Sequence, residues 1–403
     1  MELSFYSNFT NTLTAQEAQI SALQQQISTG LKVQTPDQNP AAYQTAALGN
    51  DQVSQLSNDN TTQATIQTQL GAANNAYSSA TALLDNVQSI VLQALSGTTN
   101  SQNLNALSLQ VQSASKQLLS VGNTIAPNGS YLFGGSRGTL APFQPDSSGN
   151  IVYFGDSGQS QATIGQGNTA NTLVNGEAFT SALAGDGTSV VTANTGNAGT
   201  GQMLQQGLAN VATANAFQQG SAPITVAFAV AGNTTSYTAT QGGTTISTGT
   251  LNSGGQTNLQ LAGVNYEITG APANGDSFTV SPARPQSAFA LLQQISTALS
   301  SAQATPAQVA QTSQVLNQSL AGLAQYQQAV TTAQAQNGVT LQALASAATS
   351  NTAQQTAVQT TVNNATAVDM PAAISALDQT MTAVQAAMKT FGSAQSLSLF
   401  KYL

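Results

Sequence analysis

Both ends of this chain place apolar residues on a strict alternation of three- and four-residue steps. Near the start the series is Tyr6, Phe9, Leu13, Gln16, Ile20, Leu23 and Ile27; near the end it is Ile374, Leu377, Met381, Val384, Met388 and Phe391. Such a narrow stripe is the seam of a coiled coil, and one helix cannot bury it alone. The nearest partner for each terminal helix is the other terminus. An ordinary intramolecular bundle satisfies the same pattern, so both arrangements remain open at this point. Gly30 fits a helix C-cap, and the segment Gln34 to Pro40 carries two prolines that break the helix. Asp369 fits the N-cap of the last helix, with Pro371 in its first turn. The chain closes on Ser396–Leu403, where Phe400, Tyr402 and Leu403 are large apolar groups at a chain end. The expected assembly face therefore comprises Phe9, Leu13, Ile20, Leu23 and Ile27, then Ile374, Leu377, Met381, Val384, Met388 and Phe391, then Phe400, Tyr402 and Leu403.

Between the ends the period changes twice. Ile66, Leu70, Ala73, Tyr77, Ala80, Leu84, Val87 and Val91 predict a helix ending near Gly97, and Leu104 to Val121 predict another. These fit long antiparallel helices. From about Pro127 glycine becomes frequent and the apolar period drops to two. Short strands are expected at Ser130–Phe133, Ile151–Phe154 and Gln161–Ile164, then around Ile224–Val230, Val264–Ile268 and Phe278–Val280. Residues 180–220 stay ambiguous around a possible short helix. Helix returns at Phe289–Leu299. Thr305-Pro306 then reads as an N-cap followed by a first-turn proline, opening a helix to about Val362. The expected fold is thus mainly α, with long N- and C-terminal helices in a coiled coil or bundle and an inserted, outward-facing β region. Its divisions are 1–45 (terminal helix and loop), 46–126 (helical), 127–286 (β-rich), 287–367 (return helices) and 368–403 (last helix and tail).

Composition narrows the functional classes. Charged residues are 5% of the chain, against about 25% ordinarily, and none occurs from Pro285 to Val368. A polar but nearly uncharged surface gives copies little electrostatic reason to stay apart. The six Lys and Arg are scattered, which argues against nucleic-acid binding. Cysteine and histidine are absent, removing disulfides, thiolate nucleophiles, imidazole bases and the usual soft metal ligands. No apolar stretch reaches the length of a membrane span. The first basic residue is Lys32 and no apolar core follows a basic start, so no cleaved leader is expected.

Three local motifs look chemical and are better read as turns. Gly155-Asp156-Ser157-Gly158 is similar to a serine-protease nucleophile motif, but a serine nucleophile needs a histidine base. Asp146-Ser147-Ser148-Gly149-Asn150 lacks the glycine and the bidentate glutamate that a calcium loop places at fixed positions, where Ile151 and Ser157 stand. Gly165-Gln166-Gly167-Asn168-Thr169-Ala170 is not followed by the amphipathic helix of a dinucleotide site. No catalytic residue, cofactor or metal is expected, and the chain is read as non-enzymatic.

Gln26–Val33, followed by Pro36-Asp37-Gln38-Asn39-Pro40-Ala41-Ala42, resembles the N-terminal region of the flagellin family. Asn128–Gly135, Ala141-Pro142-Phe143, Val152–Gln159, Pro272–Val280 and the ending Ser398–Leu403 resemble the hook-associated branch of that family. Pro371 departs from the pattern, since an unbroken helix is expected there in relatives. The resemblance implies a structural subunit of the bacterial flagellum, extracellular and required for motility, exported unfolded through the type III apparatus. It implies a ring of copies seated between hook-associated protein 1 and flagellin, and an export chaperone bound near the C-terminal helix. A filament-forming flagellin is the alternative within the family. A secreted adhesin or hydrolase with a β domain is the alternative outside it.

Overall fold

The computed structural model describes residues 2–96, 100–158, 160–165, 167–252, 257–301 and 305–399. It divides into two units, residues 1–62 with 346–403 and residues 63–345.

The first unit is built from helix ends. Helix α1 (Glu2–Thr29) stops where Gly30 takes a φ of +72°, a left-handed conformation that glycine adopts without Cβ strain. Helix α2 (Pro40–Leu95) starts earlier than its apolar period alone indicates. Pro40, counted as a breaker in the sequence, is instead the first residue of this helix. Asn39 caps it, its Oδ1 accepting from the Ala42 N–H at 3.1 Å. Helix α6 (Pro306–Thr366) contributes its last turns and α7 (Met370–Leu399) its whole length. Gly49 of α2 lies so close to Val362 of α6 that a Cβ there would collide with the valine methyl. Asp369 caps α7 through the Ala372 N–H at 3.1 Å, so Pro371 falls in the first turn, where its missing N–H costs nothing.

The second unit has a helical and a β part. Its helices are the remainder of α2, α3 (Ser101–Gly122), α5 (Ala288–Ser300) and the first turns of α6. Their apolar rows meet in one core through Val87, Val111, Leu118, Ile295, Leu323 and Val330. Charges being scarce, neutral side chains cap these helices. Asn100 and Ser287 accept from the N–H of Asn103 and Ala290. Thr305 and Gln308 exchange side-chain and backbone bonds at the start of α6, a reciprocal capping box.

At one end of this core Phe133, Phe143, Phe179, Tyr77 and Phe289 pack ring against ring, at centroid separations of 5.1 to 6.2 Å including Tyr153. The segment Ser130–Phe133 is not a strand. Leu132 and Phe133 are consecutive and both buried, so no alternation exists there; the chain turns tightly, with a single bridge between Ile125 and Tyr131. The expected strand at residues 151–154 forms as β2 (Ile151–Tyr153), paired with β1 (Phe143–Pro145). That at 161–164 forms as β3 (Gln161–Gly165), paired with β4 (Asn168–Asn171).

Two antiparallel sheets make up the rest. The larger runs β5 (Ser189–Ala193), β12 (Ser277–Pro282), β7 (Ile224–Ala231), β8 (Thr234–Gln241) and β9 (Thr244–Thr250) in that order. The smaller runs β10 (Thr257–Leu261), β11 (Val264–Thr269) and β6 (Gln202–Leu208), and a short helix α4 (Val211–Gln218) resolves the ambiguous region. Val226, Phe228, Phe278 and Val280 of one sheet share a core with Met203, Leu259, Tyr266 and Ile268 of the other. The acidic turn of this region is structural: the buried Asp276 carboxylate accepts from the N–H groups of Ala198, Gly199 and Ala273 at 2.7 to 3.0 Å.

The glutamines of α6 explain its lack of charge. Gln311, Gln314, Gln318 and Gln325 recur on one face and hydrogen-bond to backbone of the β region. Gln314 donates to Met203 O at 2.7 Å and accepts from Met203 N at 2.8 Å, closing the edge of β6. The Gln318 amide does the same for Val191 on the edge of β5, at 2.8 and 2.7 Å. Gln311 and Gln325 reach Asn197 O and Asp186 O, each at 3.1 Å. A charged side chain would have to be desolvated here, whereas an amide donates and accepts as a strand would. Gln314→Ala would strand the buried Met203 N–H and C=O, and unfolding of the second unit should lose about 2–4 kcal/mol. Gln311→Ala, with one bond to a less buried carbonyl, should lose less. Thermal or urea unfolding of both variants measures the difference.

Candidate assembly surfaces

Helices α1 and α7 lie antiparallel. At one end the Lys32 N–H donates to Thr366 O at 2.7 Å and the Val368 N–H to Gly30 O at 2.9 Å, around a bridge between Leu31 and Ala367. At the other end Phe391 stacks on Phe9 at 4.1 Å between centroids and meets Tyr6 edge-on at 5.2 Å. The two heptad seams thus find each other within one chain.

The structure sorts the expected residues into two groups. Phe9, Leu13, Ile20, Leu23 and Ile27 of α1 are all half-buried along the seam. On α7 only alternate members join them: Leu377, Val384 and Phe391 are half-buried, with Ala373 buried beside them. Ile374, Met381 and Met388 stay exposed at 47%, 41% and 54%, continued by Met370 at the start of the helix. These lie seven residues apart and form a second row, displaced around the helix from the first. A two-helix pair cannot cover a stripe this wide, so one edge is left open to water. Phe400, Tyr402 and Leu403 lie outside the described residues.

Sequence periodicity did not show the split, because a three-four alternation is equally consistent with either row facing α1. The missed signal is residue type: the inner row holds Leu, Val and Phe, the outer row Ile and two Met. Methionine is unbranched and adapts to an uneven partner. Gln16, in the middle of the α1 seam, has a buried Oε1 without a hydrogen-bond partner among the described residues. A single polar residue at such a position fixes register at some cost in stability.

The motifs with a chemical look hold turns together. Asp156 of the Gly-Asp-Ser-Gly segment accepts from the Ser136 hydroxyl at 2.5 Å, from the Ser136 N–H at 2.8 Å and from the Gly158 N–H at 3.1 Å. The Ser136 hydroxyl bond above all keeps this carboxyl below the ordinary aspartate range. Beside it, Arg137 makes an exposed ion pair with Asp156 at 3.7 Å. The Tyr153 hydroxyl donates toward Phe133 O and Asp156 O and accepts from the Gly176 N–H, tying three turns to one ring. Asp146 closes its own loop, accepting from Ser148 and Asn150 N–H. Among the described residues no cluster of His, Cys, Asp or Glu could hold a metal ion, and no helix is long and apolar enough to cross a membrane.

Comparison with known proteins bears on this arrangement. Residues 2–137 match the bacterial flagellin N-terminal helical region. Flagellar hook-associated protein 3 of Escherichia coli K12 is 26% identical over 134 residues, which are 33% of this chain and 42% of that protein. The crystal structure of FlgL from Xanthomonas campestris in space group C2 superposes with a TM-score of 0.68 at 25% identity, covering 77% of this chain and 97% of that one. The chain is thus similar to FlgL in fold and, at about a quarter identity, in sequence. The flagellar hook-associated protein 3 of Legionella pneumophila agrees in fold, with a TM-score of 0.71 at 23% identity, covering 79% of this chain and 98% of that one. The sequence match to the curated relative spans less than half of that protein's length.

Proposed function

We propose that this chain is a junction subunit of the bacterial flagellum, linking the hook side, through hook-associated protein 1, to the flagellin filament. The observation that supports this most is the open row Ile374–Met381–Met388 on a helix whose other row is already spent on α1. A contiguous exposed apolar row of this kind marks a surface that another chain covers. In this reading the copies form a closed ring, the ends 1–45 and 368–403 pack in the tube wall, and the β-rich part between 127 and 286 faces outward. The chain travels unfolded through the type III export apparatus, accompanied by a chaperone that holds the region of α7 until assembly. In this reading the tail residues Phe400, Tyr402 and Leu403 also take part in assembly.

Gold-labelled antibody against the folded β region tests the placement. A junction subunit gives a single narrow band where hook meets filament. Label along the whole filament identifies a flagellin instead, and label away from flagella identifies an adhesin or hydrolase.

A further inference from the structure

On one flank of the α1–α7 seam lies a groove of about 250 Å³, lined by Asn8, Phe9, Thr12, Leu13, Gln16 and Ala387. All six residues belong to the first unit. The groove is distinct from the exposed methionine row. Successive helix residues diverge by about 100°, so Ala387 and Met388 fall to either side of the inner row that holds Val384 and Phe391. Phe9 and Leu13 give the groove an apolar wall, and both are half-buried. Gln16 adds a polar demand: its Oε1 is buried and accepts from no donor among the described residues. Leaving such an oxygen unpaired is costly. The side chain that meets both demands has an apolar ring with a hydrogen-bond donor at its tip, and the chain has no tryptophan. Tyrosine fits; phenylalanine and leucine lack the donor.

We infer that Tyr402 of a second copy of this chain occupies the groove, its ring against Phe9 and Leu13 and its hydroxyl donating to Gln16 Oε1. Tyr402 stands three residues beyond Leu399, where α7 ends. A chain's own Tyr402 does not reach. From Ala387 to Leu399 the helix advances about 18 Å away from the groove. Three residues span at most about 11 Å when fully extended. Even with the length of the ring added, that falls short once the backbone has turned back along the helix. A second copy has no such limit. The lining carries no charge, so nothing in it selects an ionic partner. Tail and groove are unlike surfaces, so the contact runs head to tail, the kind that closes a ring. The inference rests on the reading that copies of this chain pack together, and it names what the tail of one copy touches on the next.

The test uses the full chain, whose lack of cysteine makes single-cysteine variants clean probes. Purified Lys401→Cys chain, which keeps Tyr402, is mixed at high concentration with Thr12→Cys chain and mildly oxidised. Thr12 is exposed at the rim of the groove, and a disulfide needs the two Cα atoms within about 7 Å. The mixed disulfide should form about tenfold faster than with Thr14→Cys, exposed on the opposite side of α1. Adding Tyr402→Ala to the Lys401→Cys chain should bring the rate down to that of the Thr14→Cys control. Adding Tyr402→Phe, which keeps the ring and removes the donor, should slow it about three- to tenfold. In one dilute chain carrying both Thr12→Cys and Lys401→Cys, no internal disulfide should form. No flagellum enters the measurement, so its outcome is separate from where the antibody label falls. Equal rates for Thr12→Cys and Thr14→Cys, or no effect of Tyr402→Ala, overturns the docking; an internal disulfide overturns the second copy as its source; an unchanged rate with Tyr402→Phe overturns the bond to Gln16.

Discussion

Met381→Glu combined with Met388→Glu should abolish incorporation into flagella while leaving the isolated chain folded. Both side chains are exposed on α7, and glutamate is about as good a helix former as methionine. Surface substitutions of this kind change stability by about 0.5 kcal/mol or less. In the proposed junction assembly the same positions are covered, and an unpaired carboxylate in a desolvated contact costs several kcal/mol, on the order of 3–5. The cost recurs at every copy of a closed ring. Met381→Leu with Met388→Leu keeps the apolar row and should assemble. Val384→Glu, on the inner row, should differ in kind: it disrupts the pairing of α1 with α7 and loosens both ends of the free chain. Circular dichroism of the purified variants, set beside swimming and electron microscopy of complemented cells, separates the two effects. Normal swimming of the double glutamate variant would remove the outer row from the interface.

How much of this was legible in the sequence varied with the physics. The terminal heptads were plain, because a 3.5-residue period has few structural causes. The caps at Gly30, Thr305 and Asp369 followed from local chemistry and are present. The division of α7 into an inner and an outer row was hidden, since it depends on which edge α1 occupies, and no local rule fixes that. Pro40 misled because proline both breaks a helix and begins one; Asn39, the capping residue just before it, decides between them. Ser130–Phe133 misled for the opposite reason: two adjacent buried residues mimic a strand while the glycines around them make turns. Strands β8 and β9 carry threonine where most strands carry valine or isoleucine, so a hydrophobic period passes over them. The glutamine face of α6 was invisible as a binding face. Amides are ordinary on an exposed helix, and only the presence of β5 and β6 beside Gln318 and Gln314 gives them their role.

Loss of the whole chain is the larger perturbation and the most direct test of the junction role. A junction converts one surface lattice into another and adds nothing to filament length. Cells lacking it should build hooks and should still synthesise and export flagellin. That flagellin would find no seat on which to polymerise and should accumulate in the medium as monomer, with the cells non-motile. Were the chain itself the flagellin, hooks would again be bare but no other abundant flagellin would be outside. Were it an adhesin or hydrolase, filaments and swimming would be intact. Electron microscopy of the deletion strain together with a gel of its culture supernatant gives the answer: bare hooks with free flagellin are the predicted result, and normal filaments on the hooks would contradict the account.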